Sequence, residues 1–118
     1  MPHSSPVEAA DFDALLELLD ADTMREVVHM FAASAPERLL TAERGLADGN
    51  AAVVATAFHT LRSGCGQLGA RHLEELCANA ERLAKHGDLG ASRDQLLAVR
   101  SELDRCLGWF RERAWLEA

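Results

Sequence analysis

His59 is the residue whose type and setting offer chemistry. It opens the run His59-Thr60-Leu61-Arg62-Ser63-Gly64-Cys65-Gly66-Gln67-Leu68-Gly69-Ala70. Imidazole ordinarily titrates near about 6.5, so a histidine offers a neutral, nucleophilic ring nitrogen at neutral pH. If the run is helical, the neighbours of His59 on its own face are Ala55, Ser63 and Gly66, all small, with Arg62 three residues on. The imidazole then stands in a shallow clearing beside one guanidinium, a group suited to offset the charge of an arriving phosphoryl group. An interior glycine costs a helix about 1 kcal/mol relative to alanine. A surface built only for solubility would carry Glu, Lys and Gln here, so contact with a partner is the expected return. A lone exposed histidine is more often an ordinary surface residue, and periodicity alone does not separate the two readings.

Other chemistry finds little support. The chain shows no Ser-His-Asp or Cys-His pairing and no glycine-rich loop after a strand, so nucleotide binding or unaided hydrolysis is not expected. His29, His72 and His86 with Cys77 match no metal-ligand spacing and read as solvated or capping residues. Cys65, Cys77 and Cys106 are an odd, widely spaced set in helical patterns and read as reduced, buried thiols. Trp109 and Trp115 read as half-buried packing.

The elements that must position His59 follow from apolar spacing. Asp11 is a candidate cap for a short helix over Phe12–Leu19, with Phe12, Leu15, Leu16 and Leu19 on one side. Asp20 or Asp22 caps a long helix from Thr23 to about Ala47, in which Met24, Val27, Val28, Phe31, Leu39 and Leu46 are apolar and Pro36 should kink or break the run. Asp48-Gly49-Asn50 is a stop and restart, with Asn50 as the next cap. A helix from Ala51 to about Gln67 places Val54, Phe58, Leu61, Cys65 and Leu68 in a stripe about 80° wide and His59 roughly 140° from its centre, facing solvent. Gly69 ends it. Residues 71–86 form another helix with Leu73, Leu76, Cys77, Ala80 and Leu83 inward, closed by His86-Gly87-Asp88. The last runs from Ser92 to about Trp115 along Leu96, Val99, Leu103, Leu107 and Phe110. The expectation is an all-α domain over 7–118: an antiparallel up-down four-helix bundle with a short extra N-terminal helix, behind a flexible lead-in of residues 1–6.

The bulk numbers agree. At 118 residues and 48% hydrophobic content the chain suits one domain with one core. A net charge of −7 argues against nonspecific nucleic-acid binding. The charge is uneven: residues 1–58 carry three bases against ten acids, whereas residues 59–86 carry four against three. No apolar run approaches a membrane span and the N-terminus lacks the parts of a signal peptide, so a cytoplasmic protein without a membrane partner is expected.

The His59 run resembles the signature of histidine-containing phosphotransfer (HPt) domains, roughly H-x-L-K-G-S-S-x-x-L-G-A followed by L-x-x-x-C-x-x-L-E, here Leu73 through Glu81. The upstream half is similar too, with a short leading helix, a long helix carrying Phe31 and a Gly-Asn turn. The family's Lys is Arg62, its following Gly is Ser63, and the Leu before Glu81 is Ala80. The resemblance implies that His59 accepts a phosphoryl group from the aspartyl phosphate of a response-regulator receiver domain and relays it to another. Arg62, Ser63, Gly66 and Lys85 would support the site. The receiver supplies the Asp and Mg²⁺, so no cofactor is expected in this chain, and no autonomous kinase or phosphatase activity. The implied partners are receiver domains or a hybrid sensor kinase, with the chain a monomer. The alternative is an HPt-like docking module that binds a receiver or kinase without carrying phosphate; Ser63 at the glycine position is the feature that favours it.

Overall fold

A computed structural model describes residues 5–117, so most of the expected lead-in, residues 1–4, lies outside the described residues. The described chain is all-α: α1 Ala9–Leu18, α2 Ala21–Asp48, α3 Ala51–Leu68, α4 Arg71–Lys85, α5 Leu89–Asp94 and α6 Leu96–Glu112. Helix α3, which carries His59, packs most extensively against α4 and α2, and both of those also meet α6.

Local chemistry sets the boundaries. Asp20 caps α2 by accepting from the Thr23 N–H at 2.7 Å, and Asn50 caps α3 by accepting from the Val53 N–H at 3.2 Å. Gly49 (φ 69°) and Gly69 (φ 78°) end α2 and α3 in the left-handed region, which glycine enters without a Cβ clash. Gly69 is doubly constrained, because a Cβ there would lie 2.8 Å from the Glu8 carbonyl oxygen. That close approach lets the Glu8 N–H donate to the Gly69 carbonyl at 2.8 Å and seats the start of α1 on the α3–α4 turn.

Four expectations are corrected. Of the kink or break expected at Pro36, the break is absent: α2 runs unbroken through it for 28 residues. Pro36 lies on the exposed side, and burial of Met24, Val28 and Phe31 before it and of Leu39, Ala42 and Leu46 after it holds both halves on one core, offsetting a proline cost of about 3 kcal/mol. Helix α1 starts at Ala9, not Phe12, and Asp11 sits in its first turn. The Asp11 carboxylate is taken by Arg71 instead, through Nε at 2.5 Å and Nη2 at 2.7 Å. The last expected helix is two. Asp88 caps α5 through the Ala91 N–H at 3.0 Å, and Ser92 is a buried residue whose hydroxyl donates to the Ala80 carbonyl across the α4 interface. On α4, Leu76 packs against the core only half-buried and Leu83 does not join it, while Glu81 and Ala84 are buried.

The core matches the α3 stripe in full: Val54, Phe58, Leu61, Cys65 and Leu68 are all buried. All three cysteines are free and buried. Hydrogen bonding with Cys77, with burial, pushes the Cys65 thiol well up; burial pushes Cys106 up to about 12. These are inert thiols. At the α1–α6 end Phe12 meets Trp109 edge-on at 5.2 Å and Trp115 at 5.3 Å. Trp109 is more deeply buried than expected, and Trp115 reaches Phe12 because the chain turns back after α6 at Ala114 (φ 62°), whose carbonyl accepts from Arg25. Val7 is fully buried and the Pro6 carbonyl accepts from the Cys106 thiol at 3.5 Å, so the lead-in is engaged from Pro6 onward.

Candidate functional site

The α3 register turns His59 outward: its side chain is 56% exposed while Phe58 beside it is fully buried. One helical turn on, Arg62 projects along the edge of α3 nearest α4. Across that edge lies Glu81, at 4% exposure a buried carboxylate. Its position follows from the α4 register, since at 100° per residue Glu81 falls about 40° beyond Cys77, at the edge of the stripe of Leu73, Cys77, Ala80 and Ala84. Lys85 follows one turn later.

These four side chains form one cluster. His59 Nδ1 lies 3.2 Å from Glu81 Oε2 and 2.9 Å from Arg62 Nη2. Arg62 Nε donates to Glu81 Oε1 at 3.0 Å, and Lys85 Nζ lies 2.8 Å from Glu81 Oε2. Burial pushes the Glu81 carboxyl up, but the Lys85 bond and the charges of Arg62, Lys85 and His59 outweigh it and hold the carboxyl below its usual range. Glu81 is thus an anion at neutral pH, with the Arg62 and Lys85 cations on two sides and His59 Nδ1 on a third. Among the described residues His59 Nε2 has no hydrogen-bond partner.

The structure therefore brings His59, Arg62 and Lys85 together. Ser63 stays apart: its hydroxyl donates to the His59 carbonyl at 3.0 Å and is turned back along the helix. Gly66 is exposed, and a Cβ there would sit 2.6 Å from Glu74 Oε2, so its openness accommodates an α4 side chain as well as leaving room near His59. Glu81 is a site residue that the sequence signals only weakly, as a carboxylate at the edge of an apolar stripe with a lysine four residues on.

Two grooves open along α3 past His59, one at Arg62 and one at Gly64 and Leu68. Toward α4, Arg62, Arg82, Lys85 and His86 border a cationic cleft of about 280 Å³ with Glu81 at its floor. Toward α2, Val27, Met30, Phe31, Gly64 and Leu68 line an apolar one of about 240 Å³, and Met30 is 70% exposed. Among the described residues no group of three His, Cys, Asp or Glu side chains is placed to hold a metal, and no helix is long and apolar enough to cross a membrane.

Comparison with known proteins gives the cluster its context. A search of curated protein sequences finds no match. Among solved structures, histidine-containing phosphotransfer protein B of Pseudomonas aeruginosa superposes with a TM-score of 0.83 at 22% identity, covering 94% of this chain and 98% of that one, a likeness of fold. The family model for the Hpt domain matches residues 26–109, a span that includes His59, Arg62, Glu81 and Lys85. The chain belongs to the Hpt domain family.

Proposed function

We propose that this protein is a phosphocarrier in a two-component relay, with His59 accepting a phosphoryl group from the aspartyl phosphate of a receiver domain and passing it to another. The observation that carries this reading is the His59 ring itself: Nδ1 is engaged by Glu81 and Arg62, while Nε2, on a side chain 56% exposed, has no hydrogen-bond partner among the described residues. In the forward step the Nε2 lone pair attacks phosphorus. The bond from phosphorus to the aspartyl oxygen breaks, and the aspartate leaves with the electron pair. The ring becomes an imidazolium bearing phosphate on Nε2 and a proton on Nδ1, and the buried Glu81 carboxylate supplies the countercharge. Arg62 and Lys85 lie close enough to offset the phosphoryl oxygens. The receiver supplies its own Asp and Mg²⁺, and this chain contributes no kinase or phosphatase chemistry.

The grooves at Arg62 and at Gly64 and Leu68 fit such a partner. The cationic one suits the rim of an acidic pocket, and the apolar one, with Met30, suits a hydrophobic patch beside it. On this reading α2, α3, α4 and α6 form an antiparallel up-down bundle over 7–118 that serves as a rigid platform, and the protein works as a cytoplasmic monomer between receiver domains or a hybrid sensor kinase.

The test is transfer. The purified protein is mixed with a phosphorylated receiver and Mg²⁺. Acid-labile, base-stable label on the wild type and none on His59→Gln is the expected result. Binding to receivers with no label on the wild type would sink the carrier reading in favour of a docking module.

A further inference from the structure

Two groups of opposite hydrogen-bonding character meet at one nitrogen. Arg62 Nη2 lies 2.9 Å from His59 Nδ1, and Glu81 Oε2 lies 3.2 Å from it. A guanidinium only donates and a carboxylate anion only accepts. The first contact is a hydrogen bond when Nδ1 holds its lone pair, the second when Nδ1 holds a proton, so a neutral ring satisfies one at a time. Three observations favour Arg62. Its contact is the shorter. Glu81 is already supplied by Lys85 Nζ at 2.8 Å and Arg62 Nε at 3.0 Å and does not need the ring proton. And one planar guanidinium makes both contacts: with Nε anchored on Oε1, Nη2 is aimed at Nδ1, a fork that a lysine ammonium lacks.

We propose that Arg62 is a gating residue: in the free protein it holds His59 with the ring proton on Nε2, closed to attack, and a partner's acidic pocket opens the site by drawing the Nη2 end away. The Arg62 side chain is 35% exposed, so that end is within a partner's reach. Once it leaves, the ring gives up its Nε2 proton to solvent and takes one on Nδ1, where Glu81 accepts the hydrogen bond. Nε2 then holds the lone pair for the attack described above. The arrangement suppresses reaction with donors too small to engage Arg62. The inference rests on the phosphocarrier reading for what Nε2 attacks, whereas the tautomer belongs to the free protein and is measured without any transfer.

The experiment uses the full chain with ¹⁵N-labelled histidine and long-range ¹H–¹⁵N spectra, at a pH where the His59 signal is that of a neutral ring; His59→Gln assigns the signal. The wild type should carry its proton on Nε2, and Arg62→Lys should move it toward Nδ1. Phosphoramidate, a small phosphoryl donor, should then label Arg62→Lys about 3- to 10-fold faster than wild type, the reciprocal of the minor competent population. A wild-type proton on Nδ1 overturns the gate. So does a tautomer unmoved in both Arg62→Lys and Arg62→Ala, or a labelled Arg62→Lys no faster than wild type. Label on no variant, with the tautomer shifting as expected, strikes the carrier reading and leaves the gate standing.

Discussion

Lys85 Nζ sits 2.8 Å from Glu81 Oε2, one turn along α4, and through that contact a buried carboxylate is tied to an exposed cation at the edge of the His59 cluster. Charge-assisted hydrogen bonds of this kind contribute about 1.5–3 kcal/mol each. Glu81→Ala should therefore slow transfer to His59 about tenfold or more, because the Nδ1 proton of the reacting ring loses its acceptor. Transfer from a phosphorylated receiver, timed against wild type, checks this; an unchanged rate would remove Glu81 from the mechanism.

The Glu81 carboxyl is held below its usual value of 4.5. A group with a depressed folded pKa contributes stability that is fully present above the unfolded value and is lost as pH falls through the folded one. Acid unfolding of the wild type should accordingly show a loss of stability below about pH 4.5 that is smaller in Glu81→Gln. Denaturant titrations of both proteins at pH 7 and at steps down to pH 3 measure the difference.

Gly69 and Gly49 share a left-handed backbone but not its surroundings. A Cβ at Gly69 meets the Glu8 carbonyl at 2.8 Å, whereas one at Gly49 meets nothing within 4 Å. Gly49→Ala should cost about 1–2 kcal/mol, the strain of the conformation alone. Gly69→Ala should cost more, because α1 must also shift off the α3–α4 turn. Paired urea melts decide it, and equal losses would show that the Glu8 contact yields freely.

Met30 is 70% exposed on the rim of the apolar groove. Met30→Asp should leave stability within about 0.5 kcal/mol of wild type. It should weaken receiver binding about tenfold while phosphoramidate labelling of His59 stays the same. A titration by calorimetry beside the labelling assay separates docking from chemistry.

Ser63 turns its hydroxyl onto the His59 carbonyl. Ser63→Gly should thus change the transfer rate by less than about threefold, with a helix cost of roughly 0.5 kcal/mol. A large gain in rate on restoring glycine would mean that the serine obstructs the partner after all.

Much of this arrangement was legible in the residues. The α3 stripe, the Asp20 and Asn50 caps and the outward register of His59 all follow from local rules, in which one residue and its neighbours decide the outcome. What escaped depends on contacts between elements. Asp11 looks like a cap until Arg71, 60 residues away, takes its carboxylate. Ser92 looks like a helix start until the Ala80 carbonyl claims its hydroxyl and Asp88 caps the chain earlier. Pro36 looks like a break until the core on both sides of it holds α2 together. Glu81 is the instructive case for the site, since burial of a carboxylate makes sense only once His59, Arg62 and Lys85 are seen to surround it.

The aromatic packing at the α1–α6 end has an optical consequence. The chain has two tryptophans and no tyrosine. Both indoles lie against Phe12, with Arg113 3.9 Å over the Trp109 ring and Arg25 5.1 Å over that of Trp115. Intrinsic fluorescence is therefore a local gauge of whether α1 and the turn after α6 are seated, while far-ultraviolet ellipticity reads the helices as a whole. Where the two signals part during unfolding, the N-terminal helix has come away from a bundle that is still standing.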